Sequence, residues 1–315
     1  MHYRFFDAHS HSAVNSICPV NSTSFILTGG NDSKIRLHNI EEHQVRSTEL
    51  KKEHIGSINS INTNVTGETF VSGGDDTVVL WDLTKQSKIR RYSPGHRGRN
   101  EIYNCQILNE NLIVSCGTSC LVSFYDLRQP SNIKPVFSVQ TGEDALSSMI
   151  YEPDSRRLLV ASINGYISIL DLAKNELVSY NLIECGILSI CLLSDTLLAT
   201  SENGSIELFS YPAFEHLGSA RISEHKFSCR INSDLANDYY NSSQHIVSGS
   251  EDGKAKRWVF NPKKKTIEDI QTLEASIDSQ SSISKVLSVT KFVPWSNRLL
   301  CSSANGVLHM WENFL

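Results

Sequence analysis

Seven times along these 315 residues a short phrase returns, and the repetition limits what the chain can become. Thr28-Gly29-Gly30-Asn31-Asp32-Ser33 leads to His38-Asn39, and Ser72-Gly73-Gly74-Asp75-Asp76 leads to Trp81-Asp82. Ser115-Cys116-Gly117 runs to Tyr125-Asp126, and Ala161-Ser162-Ile163-Asn164-Gly165 to Leu170-Asp171. The last three are Thr200-Ser201-Glu202-Asn203-Gly204 to Phe209-Ser210, Ser248-Gly249-Ser250-Glu251-Asp252-Gly253 to Trp258-Val259, and Ser302-Ser303-Ala304-Asn305-Gly306 to Trp311-Glu312. Their closing large residues fall at 38, 81, 125, 170, 209, 258 and 311, at intervals of 43, 44, 45, 39, 49 and 53. A period in this range belongs to repeat architectures in which each unit buries its apolar faces against its neighbours.

Each phrase reads as strand, tight turn, strand. Ile35/Leu37 and Ile167/Ile169 alternate as half-buried strands do, and the Asn-Gly and Asp-Gly turns tolerate positive φ. A further strand precedes each phrase, at Val14–Ile17, Ile58–Ile61, Ile102–Cys105, Leu146–Met149, Ile187–Ile190 and Val286–Val289. The sixth is placed at Phe227–Ile231, where the pattern is less regular. Helical spacing is nearly absent; Thr266–Ser276 alone admits a weak helical reading. Seven four-stranded units predict an all-β, seven-bladed WD-repeat β-propeller spanning 1–315 as a single domain. Because the last phrase runs out at Leu315, the outer strand of that blade is expected from Tyr3–Phe6, which covers an otherwise open edge.

Composition narrows the class. Charged residues at 20% and apolar ones at 40% are globular values, which exclude wholesale disorder. A net charge of −5 argues against a protein held to nucleic acid mainly by bulk electrostatics. Eight cysteines without a Cys-x-x-Cys pair, several inside apolar runs, are expected to be buried free thiols of a reducing compartment. The first residues carry no apolar stretch of signal-peptide length and no run suits a membrane span, so the expectation is a soluble, intracellular protein.

Several constellations resemble chemistry. His54, Ser72, Asp75 or Asp76, and Trp81 contain the ingredients of a Ser-His-Asp triad. The competing reading is a hydrogen-bonded chain tying turn to strands, and it is the better one because the set recurs in part: His9 with Thr28 and Asp32, His96 with Ser115 and Tyr125. A triad is needed once; a structural device repeats. No His or Cys pair has metal-ligand spacing, and the Gly-Gly phrases lack the Lys-Ser/Thr of a phosphate loop. The expectation is no enzyme, no metal and no cofactor.

One basic cluster carries weight. Lys88, Arg90 and Arg91 fall in the outer strand of blade 2, and Arg97 and Arg99 in the following loop. They suit an acidic peptide or an RNA backbone, or else are a solvated edge protected by charge. Lys263-Lys264-Lys265 reads as solvated. Asn232–Gln244 lengthens a loop inside blade 6 and Asn261–Ser282 the passage to blade 7; sequence does not separate a partner-binding role from padding.

The phrase Ser72–Asp82 resembles the second blade of the mitogen-activated protein kinase organizer family. Glu224-His225-Lys226 to Cys229 followed by Ile246–Lys254 is similar to its sixth, with Arg128-Gln129-Pro130, Asp144–Ser148 and the run from Gly186 to Leu208 in matching order. His38-Asn39 in place of Trp-Asp, a turn one residue shorter in blade 2 and the two long segments depart from it. The resemblance implies a non-catalytic scaffold of the spliceosome in the nucleus. The alternative is a scaffold gathering kinases of a mitogen-activated cascade in the cytoplasm. A second alternative, RNA binding, rests on the same arginines. The partner-binding residues are expected on the narrow face at Arg97, Arg99, Tyr103, Asn15, Asn31, Asn59, Glu202, Glu251 and Lys285. The partners expected are splicing factors or kinases, with the chain monomeric inside a larger complex and away from membranes.

Overall fold

The computed structural model describes residues 2–41, 45–94, 100–129, 133–224, 227, 229–237, 243–274 and 286–312. Among them the chain forms seven four-stranded antiparallel sheets and no α-helix; Pro294–Ser296 makes a single short 3-10 turn. The fold is an all-β, seven-bladed β-propeller. The chain divides into two compact units, residues 15–181 with blades 1 to 4, and residues 1–14 with 182–315, which hold blades 5 to 7.

Within the first of these units, one strand shows why the phrases read as apolar runs rather than clean alternation. Val79 and Trp81 of Thr77–Asp82 join a cluster with Leu27, Leu37, Ile58 and Phe70 on the blade 1 side. Val78 and Leu80 of the same strand face Ile102, Ile113 and Tyr125 on the blade 3 side. Both faces of the blade are buried, so both parities are apolar. Gly29 and Gly73 belong to this interface: a Cβ on either would lie 2.6 or 2.7 Å from Cγ2 of Ile58 or Ile102, the residue that opens the next blade's first strand. The Gly-Gly phrases are therefore seats for a neighbouring isoleucine.

Polar side chains complete the joints. The Ile61 amide donates to Ser16 Oγ (2.9 Å), Cys105 N to Ser60 Oγ (3.2 Å), and Tyr151 N to Gln106 Oε1 (3.0 Å), each across 45 residues. The first strand of each blade would otherwise leave edge amides unpaired, and a partner missing from a buried amide costs about 1–3 kcal/mol. In the second unit Asp234 does the same for blade 7, its Oδ2 accepting from Phe292 N at 2.9 Å while Lys291 Nζ stands 3.2 Å from Oδ1.

Blade 7 has the order expected of it. His2–Asp7 pairs antiparallel with Val307–Glu312, from His2 opposite Glu312 to Asp7 opposite Val307. The Tyr3 ring lies tilted at 5.3 Å from Trp311 and its hydroxyl lies 2.7 Å from His309 Nδ1. Arg4 and Arg298 both pair with Glu312.

Two expectations for blade 6 are corrected. Its first strand is Ser233–Asn237, not Phe227–Ile231. Asp234 is a poor strand former, yet it is buried there because its carboxylate serves the neighbouring blade, and tertiary hydrogen bonding overrides local preference. Thr266–Ser276 is not helical: Thr266–Glu274 is the fourth strand, paired with Lys254–Asn261. A register shift between Arg257 and Trp258 breaks the two-residue alternation that would have revealed it. Most of the supposed passage 261–282 is thus a hairpin, and Lys263, Lys264 and Lys265 are exposed at its turn. Residues 238–242 and 275–282 of the two long segments lie outside the described residues.

Candidate protein-binding surface

The set around His54 shows first what the buried polar groups are for. Trp81 Nε1–H donates to Ser72 Oγ at 2.8 Å, and Ser72 Oγ lies 2.7 Å from His54 Nε2. Thr77 Oγ1 lies 3.1 Å from His54 Nδ1. One proton order leaves nothing unsatisfied: indole to serine, serine hydroxyl to Nε2, Nδ1–H to threonine. It needs a neutral imidazole, and burial, followed by the charge of Arg91, brings the His54 pKa down to about 4. The expected Asp75 or Asp76 is corrected to Thr77. Asp75 bridges to Glu101 instead, and Asp76, at φ +52°, donates its amide to Asn100 O at 2.9 Å. A hydroxyl suits this position because a buried carboxylate beside a neutral ring would be an uncompensated charge. Ser72 is wholly buried, so a substrate has no approach to its oxygen.

The device varies around the repeat. In blade 1 His38 stands at the tryptophan position, with Nε2 2.8 Å from Thr28 Oγ1 and Nδ1 2.6 Å from Ser47 Oγ. In blade 3 Ser115 Oγ lies 3.2 Å from the Tyr125 hydroxyl. His96 lies outside the described residues.

Of the surface residues, Asn15, Asn59 and Tyr103 each stand second in the first strand of successive blades, and Asn31 follows the second strand of blade 1. Asn15 Nδ2 donates to Asn31 Oδ1 at 2.6 Å and approaches Ile58 O at 3.4 Å, and Asn59 Nδ2 donates to Ile102 O at 3.0 Å. Tyr103, next in sequence to that carbonyl, is half-buried, and Asn31 is exposed. Asn15 and Asn59 therefore hold one blade to the next while keeping part of their amides at the surface. Glu202 and Glu251 lie in the other unit and grip one segment: Phe227 N donates to Glu202 O at 2.8 Å, Cys229 N to a Glu251 carboxylate oxygen at 3.0 Å. Arg97, Arg99 and Lys285 lie outside the described residues. Serine, asparagine and glutamine side chains that reach across 42–45 residues were missed by sequence reasoning, although polar residues recurring at that interval in the first strands are a readable signal.

All eight cysteines are free thiols, four of them buried. Burial pushes the Cys105 and Cys191 thiols up to about 12. Among the described residues no three His, Cys, Asp or Glu side chains gather as metal ligands, and no helix is long and apolar enough to cross a membrane.

The repeat geometry agrees with a family model. The WD domain, G-beta repeat, matches residues 2–39 and 46–82. Residues 2–39 and 46–82 thus carry the WD repeat. The chain is similar to a WD repeat-containing protein 89 homolog of Dictyostelium discoideum, 24% identical over 137 residues, 44% of this chain and 37% of that one. It is also similar to a WD repeat-containing protein 55 homolog of Aedes aegypti (18% over 172 residues, 54% and 36%). A guanine nucleotide-binding protein subunit beta of Zea mays shares 26% over 158 residues, 47% and 41%. The matches thus cover less than half the length of each of these curated relatives. WD40 propellers are generally non-catalytic scaffolds and typically bind proteins.

Proposed function

We propose that this WD-repeat protein is a non-catalytic docking platform for other proteins, acting in pre-mRNA splicing. The observation that carries the reading is the fate of the polar side chains. His54, Ser72, Thr77 and Trp81 are buried and satisfied by one another, so the residues best suited to chemistry serve rigidity. Exposed Asn31 and half-buried Tyr103 sit on a frame whose joints are themselves hydrogen-bonded. A similar protein is, by its name, a subunit of a larger assembly, which suits a part that works by contact. The splicing role, and with it a nuclear and cytoplasmic distribution, rests on the resemblance of the second- and sixth-blade phrases to the kinase organizer family.

Affinity purification of the tagged chain, read by mass spectrometry, tests this. Splicing factors are expected to copurify, and Asn31→Arg with Tyr103→Ala should deplete at least one of them. Copurification of mitogen-activated cascade kinases without splicing factors would move the protein to signalling. Recovery of the chain alone would remove the platform reading.

A further inference from the structure

The fourth strand of blade 2, Ser87–Tyr92, slips by one residue against its partner: Leu80 stands opposite Arg90, but Trp81 opposite Lys88. Ile89 is the extra residue of a bulge, 49% exposed. The slip puts Lys88 and Arg91 on the same side as Trp81 and Val79, whereas Arg90 and Tyr92 share the side of Leu80 and Val78. Arg90 is fully engaged there, its guanidinium donating to Gln129 O at 3.0 Å and lying 5.7 Å over the Tyr92 ring.

On the other side the segment 51–55 meets the strand at Glu53, and the Ile55 carbonyl accepts from Ser33 Oγ of blade 1 at 3.0 Å. Lys88 Nζ pairs with Glu53 at 2.6 Å, and Arg91 is close enough to act electrostatically on His54. That stretch carries Lys51 and Lys52, both exposed, and Ile55, 77% exposed. The carboxylates nearby already have cations: Glu49 holds Lys34 and Arg36, Glu53 holds Lys88, and Asp82 holds Lys85. Lys51, Lys52 and Arg91 are in surplus, with no ion pair among the described residues.

We propose that this edge of blade 2, formed by Lys51, Lys52 and Arg91 with Ile55 and Ile89, docks an acidic segment of a partner protein that carries aliphatic side chains between its carboxylates. The surplus of positive charge selects the acidic residues. The two exposed isoleucines supply the apolar contact that fixes register, which charge alone does not. RNA is the weaker match, because bases stack on exposed aromatic rings and the aromatic here, Tyr92, is fully buried. The proposal deepens the platform reading and adds to Asn31 and Tyr103 a surface that reaches the blade 1 turn through Ile55.

The test is fluorescence anisotropy of the purified full chain with a fluorescein-labelled peptide of alternating Glu and Leu. Saturable binding is expected, weakened about tenfold by Lys51→Glu with Lys52→Glu and roughly fivefold by Ile55→Ser. These side chains are exposed and make no described bond, so thermal melting should show the variants folded; Arg91→Gln then tests the half-buried cation. Absence of saturable binding, or binding that the charge reversals leave unchanged, would overturn the proposal. A labelled uridine oligonucleotide that binds more tightly than the peptide and is lost in the same variants would reassign the edge to RNA. If copurifying partners persist while the peptide fails to bind, this edge is wrong and the platform stands. If the peptide binds while the chain purifies alone, the reverse holds.

Discussion

In blade 2 an indole reaches Ser72 from nine residues away, while in blade 1 a histidine reaches Thr28 from ten. The tryptophan has one donor and a large apolar body: it satisfies Ser72 with the first and stacks on Phe70, 5.6 Å between centroids, with the second. It cannot reach further, so His54 and Thr77 finish the chain. His38 is smaller and has two ring nitrogens, and it ties the second strand to the third through Thr28 and the third to the fourth through Ser47. Blade 1 thus gains a link to its edge strand and forgoes apolar area. What the position demands is a ring that fills space and donates or accepts at one point, and two side chains meet that demand with different reach.

Trp81→Ala should separate the blades most sharply. Truncating a buried tryptophan costs about 3–5 kcal/mol, and here it also strips Ser72 of its donor; urea unfolding monitored by circular dichroism should show a midpoint well below that of the parent. Acid comes next. His54 has an ordinary value near 6.5 when unfolded and about 4 when folded, so the unfolded chain binds more protons between these limits. Its contribution is complete above pH 6.5 and is lost as the pH falls toward 4, on the order of 3 kcal/mol over the full window. His309, buried and also lowered to about 4, adds a loss of the same sign. Unfolding free energies measured from pH 7 to 4.5 should decline, and the slope should be shallower in a His54→Gln variant. Ser72→Ala leaves the Trp81 indole N–H and the His54 ring without their common partner, costing about 2 kcal/mol. Ser47→Ala, which removes the link peculiar to blade 1 at its exposed edge strand, should cost about 0.5 kcal/mol by the same denaturation. A larger effect there than at Ser72 would invert the comparison.

Much of this was legible because the signals are local. The seven phrases hold strand, turn and strand within a few residues, and Tyr3–Phe6 pairs with the strand of Trp311 to complete the seventh sheet. The choice of Thr77 over Asp75 or Asp76 was hidden because the pattern names residue types, not which side of a turn faces a ring. The first strand of blade 6 was hidden for a different reason: what fixes Ser233–Asn237 is a carboxylate serving residues more than fifty positions away. The edge formed by Lys51, Lys52 and Arg91 depends on a bulge at Ile89, and alternation alone would have sent Arg91 to the opposite side from Lys88. Asn15 and Asn59 stand in the first strands of their blades, but the amide bonds that hold them to the next blade are visible only in three dimensions.

The antiparallel union of His2–Asp7 with Val307–Glu312 has a bearing on biosynthesis. During translation His2–Asp7 is made before blades 1 to 6 and its mate after them, so a ribbon carrying Tyr3, Phe5 and Phe6 waits through their synthesis without its companion. A nascent chain in that condition is a natural client for chaperones, and a ribosome stalled before residue 307 would release a molecule whose seventh sheet cannot be finished.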